Sequence, residues 1–149
     1  MKTSDKNNGG YIEPSSGADS AFLARKLPGE VVMLNMLEFR EVADYSAAPD
    51  LAPDEPISGK EAYRRYSDHT LPLLQAAGGS VVYSGVGGPY LIGPVDKTWD
   101  LVLLVRHRSV QAFMAFATDQ EYLAGAGHRT AALKDSRLLP LSDLPMTAG

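Results

Sequence analysis

The sequence predicts one α+β domain whose elements follow in the order strand, helix, strand, strand, helix, strand. Three observations carry this expectation. Val31–Phe39 and Trp99–His107 are apolar on both alternating faces, as strands covered on both sides would be. Ser58 and Glu61 stand at capping-box spacing ahead of a helical period that stops at Gly78-Gly79. Ser109 and Asp119 open two further helical stretches before a last extended run, Ser136–Leu141.

Composition sets the bounds. The 149 residues fit one domain, large enough to bury a core without staples. Hydrophobic residues make up 44% and charged residues 21%, the balance of an ordinary globular chain. The net charge is −4, and basic residues cluster only at Arg64-Arg65 and Arg106-His107-Arg108, so no nucleic-acid partner is expected. With no cysteine, the chain has no disulfide, no thiolate nucleophile and no thiolate-bound metal. Met1–Gly10 holds no apolar run of signal length, and no stretch approaches the roughly 20 apolar residues of a spanning helix. No membrane partner is expected, and the expected address is the cytoplasm.

Residues 1–28 read as an N-terminal tail with one short helix over Asp19–Leu27, capped by Asp19 or Ser20 and stopped by Pro28-Gly29. Residues 29–142 form the domain, and 143–149 trail off. After the first strand, Glu41–Ile57 is an acidic loop with Pro49, Pro53 and Pro56, longer than the ~12–15 residues at which unstructured connections become rare. It reads as a lid or an idle insertion. The first long helix runs to about Ala77, with Tyr63, Tyr66, Thr70, Leu73, Leu74 and Ala77 as its buried stripe; Pro72 inside it implies a kink or an early end. Ser80–Val86 is the second strand, bent by Gly87-Gly88-Pro89 and continued by Tyr90–Ile92. Trp99–His107 is the third. Gly125 and Gly127 are expected to loosen the last helical segment.

This order is the split βαβ arrangement of ferredoxin-like domains, in which helices cover only one face of the sheet. No element remains for the other face. A second copy packed sheet to sheet would cover it, with each apolar side chain so buried contributing on the order of 1.5–3 kcal/mol. The expected class is therefore a dimeric α/β barrel, and the expected partner a second copy of the chain.

The segment Tyr63–Gly79, the strand Trp99–Leu104 followed by Ser109, and Glu121-Tyr122-Leu123 with Arg129 and Asp135-Ser136-Arg137-Leu138 resemble the dimeric α/β-barrel family catalogued as domain of unknown function 1330. The resemblance covers about Val31–Leu141. It departs in the long loop, the N-terminal tail, and His107-Arg108 where the family tends to have Phe-Pro. It implies a homodimer with a cavity between sheet and helices or at the barrel centre, and no activity. Relatives by fold include cofactor-free monooxygenases, small-ring isomerases and haem-binding enzymes, a range too wide for fold to decide chemistry.

Six residues are candidates for a small-molecule site. Asn35, the one uncharged polar residue of the first strand, would orient a carbonyl or oxyanion; its plainer role is a buried amide bonded to backbone. His69, one turn beyond Tyr66, would act as a general base near its unperturbed pKa of about 6.5, or stand on the helix surface. His107, placed on one strand face with Trp99, Leu101, Leu103 and Val105, and Tyr66 and Trp99 themselves, would line a pocket or pack the core. Arg129 would hold a carboxylate, or bridge to Asp135 or Glu121. His128 reads as exposed. Three histidines without ligand spacing argue for no metal, and no cofactor is called for. Two functions remain: a cofactor-independent enzyme, monooxygenase- or isomerase-like, acting on a small apolar or aromatic oxygenated compound with Asn35 and His69 as polar anchors, or a non-catalytic ligand-binding or structural homodimer. A cavity of about 300 Å³ walled by Asn35 and a histidine would favour the first; a filled interior would favour the second.

Overall fold

Ser58 Oγ accepts the Glu61 N–H at 3.0 Å, and behind that cap the first long helix runs over Gly59–Ala76. The computed structural model describes residues 10–146. Their elements are α1 (Ala18–Ala24), β1 (Val31–Phe39), a 3-10 turn (Pro49–Leu51), α2 (Gly59–Ala76), β2 (Ser80–Val86), β3 (Leu101–His107), α3 (Val110–Ala117), α4 (Gln120–Ala132) and β4 (Leu133–Ser142). α2 neither ends nor divides at Pro72. That residue is exposed, so the carbonyl it leaves without an N–H partner faces water. Gly78 then takes a φ of 84°, and Gly79 N–H reaches Leu74 O at 2.9 Å, closing the helix on a left-handed residue. Ala77 is exposed rather than part of the stripe.

The four strands form one antiparallel sheet in the order β2-β3-β1-β4, the ferredoxin-like arrangement. Registers fix the faces. Asn35 lies opposite Leu103 and Leu138, Met33 opposite Val105, and Val31 opposite His107. This set faces the helices. Leu37 packs with Tyr45, Ala62, Tyr63, Ala131, Ala132 and Leu133, while Val31 and Met33 pack with Val110, Phe22 and Phe113. The alternate set, Leu34, Met36, Val102, Leu104, Leu139 and Leu141, points to the uncovered face, and none of these side chains is fully buried. β2 leaves Val81, Val82 and Tyr83 exposed at the sheet edge.

Several sequence expectations are corrected. β3 begins at Leu101, and Trp99 lies outside it, held by a bond from its N–H to Gly88 O at 3.3 Å. Tyr90–Ile92 does not continue a strand; a single bridge, Pro89 to Thr98, closes the connection instead. β4 starts at Leu133, three residues earlier than expected. α4 runs unbroken through Gly125 and Gly127, because both glycines face close neighbours rather than loosen the helix: a Cβ on Gly127 would stand 2.5 Å from Ala48 Cβ. The Glu41–Ile57 loop is docked, with Ala43 N–H on Ile57 O, Asp44 N–H on Ala131 O and Tyr45 buried against the core.

Candidate functional site

The space between α2, α4 and the sheet is occupied by rings in contact. Phe39 meets Tyr63, Tyr63 meets Tyr66, Tyr66 meets Tyr122, Tyr122 meets Phe116, Phe116 meets His107, and His107 meets Phe113, which ends on Phe22. The helical period of α2 brings Tyr63 and Tyr66 inward, and the β3 alternation brings His107 to the same layer. Tyr66 and Tyr122 share a hydroxyl hydrogen bond of 3.0 Å. Burial pushes the Tyr63 phenol up to about 12 and the Tyr66 phenol well above its ordinary value, so both stay protonated at neutral pH. Burial pushes the His107 imidazole down, and its neutral ring packs among Phe113 and Phe116 as an aromatic.

The candidates do not converge. Asn35 Nδ2 donates to Met33 O at 3.1 Å, a bond within its own strand. His69 Nε2 lies 2.6 Å from Glu121 O, joining α2 to α4. Arg129 donates to Ile12 O at 3.0 Å, holding the N-terminal segment rather than Asp135 or Glu121. Trp99 Nε1 donates to the Tyr90 hydroxyl at 2.6 Å. It does not share a face with His107: its ring lies under Lys97 Nζ at 4.5 Å and the Arg137 guanidinium at 5.2 Å, at the other end of β3.

Two groupings were not foreseen. At the β1–β4 corner of the uncovered face, Asp135 accepts from Lys97, from Arg137 at 2.6 Å and from the Tyr11 N–H at 2.8 Å, and Lys97 also donates to Glu38 at 2.7 Å. Burial raises the Asp135 carboxyl, but these donors outweigh it and hold the group below its ordinary value. The sequence signal was the charge alternation around Asp135 and Arg137, which gave no hint of Lys97 as a third member.

The second grouping lies where α4 meets the acidic loop. Tyr45 and His128 are joined by a 2.7 Å hydrogen bond between the hydroxyl and Nδ1. Burial pushes the tyrosine up; burial, then the charges of Arg65 and His69, push the histidine down. The pair is therefore neutral at neutral pH. Tyr45 also lines a cavity of about 320 Å³, open to solvent, walled by Val42, Ala43, Ala52, Pro53, Pro56 and Ile57 with Asp54 and Glu55 at its margin. None of the six candidates lines it. Tyr45 lay in a stretch read as irregular loop, where no periodicity marks a buried residue. Among the described residues, no group of three or more histidine, aspartate and glutamate side chains is placed to hold a metal, and no helix is long and apolar enough to cross a membrane.

No protein-family model matches the chain, and no curated protein matches it. Solved structures do. The RPA0582 protein of Rhodopseudomonas palustris, of unknown function, superposes with a TM-score of 0.80 at 36% identity, covering 92% of this chain and 99% of that one. The methylated RPA0582 protein gives 0.81 at 34% identity, over 91% and 96% of the two chains. A dimeric protein of unknown function and ferredoxin-like fold from Bacteroides fragilis gives 0.48 at 14% identity, over 78% and 99%. The chain belongs to the family of the RPA0582 protein of Rhodopseudomonas palustris.

Proposed function

We propose that the chain is a non-catalytic homodimer, two sheets packed face to face, that binds a small apolar or aromatic oxygenated compound in the cavity beside Tyr45. One observation carries the non-catalytic part. The polar atoms expected to do chemistry are engaged within the chain: Asn35 on Met33 O, His69 on Glu121 O, Arg129 on Ile12 O, Trp99 on Tyr90. Each of these bonds turns its group onto the chain itself, and rings already fill the helix–sheet interior. The uncovered face of Leu34, Met36, Val102, Leu104, Leu139 and Leu141 supports the dimer, since water against so much apolar surface is unfavourable. The resemblance to the domain of unknown function 1330 family supports it too, and rests on the residues quoted for it.

Sedimentation velocity at micromolar concentration tests the dimer; a two-chain species is expected, and a stable single chain overturns it. Titration calorimetry with 2-naphthol, an aromatic oxygenated probe, tests the cavity. Tyr45→Phe should weaken binding about tenfold, the order expected for one lost hydrogen bond. Equal affinity would move the ligand elsewhere.

A second reading, a cofactor-independent enzyme, is favoured by the Tyr45–His128 pair alone. The neutral imidazole can accept the phenol's hydrogen bond while the phenol oxygen accepts one from a bound hydroxyl, a relay along which that hydroxyl's proton can pass to the phenol as the phenol's passes to the imidazole. Turnover of an oxygenated aromatic lost in both Tyr45→Phe and His128→Gln would establish it. Binding without turnover would support the first reading.

A further inference from the structure

The connection from β2 to β3 projects beyond the sheet and carries apolar side chains into water: Leu91 is 100% exposed, Ile92 91% and Val95 100%. Val86–Val95 contains no charged residue. Isolated exposed apolar side chains need no explanation, but three within five residues at one tip do.

The arm is built rather than slack. Gly87 N–H bonds Asp100 O at 3.1 Å, Pro89 bridges to Thr98, and Tyr90 accepts from Trp99 Nε1. Gly93 packs so closely on the Tyr90 ring that a Cβ there would stand 2.5 Å from it. A preformed apolar tip loses little freedom on being covered, which favours association.

We propose that this arm, Gly87–Thr98, docks on a second copy of the chain and forms part of the dimer interface, its Leu91, Ile92 and Val95 covered by the partner. The inference rests on the homodimer reading above and extends it beyond the flat sheet. Continuity points to a second copy. Tyr90 ties the arm to Trp99, the Trp99 ring carries Arg137, and Arg137 sits opposite Met36 on the uncovered sheet face. A partner laid on that face therefore comes within reach of the arm, and twofold symmetry makes the contact twice. Charge argues against an anionic membrane. The nearest lysine, Lys97, is turned inward onto Glu38 and Asp135, leaving exposed Asp96 as the charge beside the tip.

The test is sedimentation equilibrium of the full chain and of the double variant Leu91→Glu with Ile92→Glu. Both side chains stand in solvent in the single chain, so the far-ultraviolet circular dichroism should be unchanged. The dimer dissociation constant should rise about a hundredfold, the scale of an interface anchor lost from both copies. Because the chain has no cysteine, Ile92→Cys can carry a single benzophenone label. Irradiation should then yield covalent dimers. A monomeric wild type overturns the homodimer reading and this inference with it. A dimeric wild type, an unchanged constant in the double variant and no cross-link overturn the arm alone. An unchanged dimer whose flotation with phosphatidylcholine vesicles is lost in the variant also overturns it, and assigns the tip to lipid.

Discussion

The His69 ring lies where a side chain on Gly125 would stand: a Cβ there would be 2.2 Å from Cδ2 and 2.5 Å from Cγ. α2 and α4 approach closely enough for His69 Nε2 to bond Glu121 O because Gly125 has nothing to offer in the way. Gly125→Ala should therefore destabilise the fold by about 1–3 kcal/mol, the usual cost of overpacking, although alanine favours helix. The ring cannot swing aside without breaking its bond. Adding His69→Ala should recover most of that loss, so urea unfolding of the two single variants and the double variant should show strong coupling. Additive losses would mean that another contact sets the helix distance.

This pair shows where reading by pattern stops. Ser58, Ser109 and Asp119 are local signals, and each caps a helix, while the Glu61 carboxylate turns to Arg64 and Arg65 instead of closing the capping box on Ser58. β1 was legible to the residue, because its two apolar faces end at Pro28-Gly29 and at Glu41. A glycine in a helical stretch carries no such message. Its weak propensity argues for loosening, while its value here is the space it leaves for a residue 56 positions earlier, a tertiary fact. Trp99 was misplaced for a related reason: apolar alternation extends through it, but the Trp99 N–H goes to Gly88 O and its ring to Lys97 and Arg137. Tyr45 sat among prolines, where burial depends on how the loop docks and no period reports it.

Acid should weaken the fold before any carboxylate protonates. His107 and His128 both have imidazoles pushed below the ordinary value of 6.5 in the folded chain, chiefly by burial. The unfolded chain then binds more protons as pH falls, so their contribution is intact above about pH 6.5 and declines below it. Urea midpoints should fall from pH 7 to pH 5. His107→Phe, which keeps a ring against Phe113 and Phe116, should make that decline shallower. An identical pH dependence in the variant would show that His107 is not desolvated.

Asn35→Val should leave 2-naphthol affinity unchanged. Its amide donates to Met33 O within the same strand, and Asn35 does not line the cavity beside Tyr45. The branched side chain suits a strand between Leu103 and Leu138, so thermal stability should hold or rise slightly. Calorimetry and thermal unfolding check both; a clear loss of affinity would return Asn35 to the site.

Asp135→Asn should be the most damaging polar substitution. Only 4% of its side chain is exposed, and it faces Lys97, Arg137 and the Tyr11 N–H at once. Removing the negative charge leaves Arg137 without its carboxylate and Lys97 with Glu38 alone; because both cations keep some solvent, the cost is about 3 kcal/mol, the lower end for a broken buried pair. Tyr11 and Ser136 depend on the same anchor, since Ser136 Oγ donates to Tyr11 O. Hydrogen exchange should therefore quicken at Tyr11 in Asp135→Asn, well before β1 opens. The wild type should follow the same course in acid. The Asp135 carboxyl is held below 3.8, so its contribution is full above that pH and is lost as pH falls through the lower folded value. Unchanged exchange at Tyr11 in the variant would mean that the N-terminal segment is held by Arg129 on Ile12 O rather than by this corner.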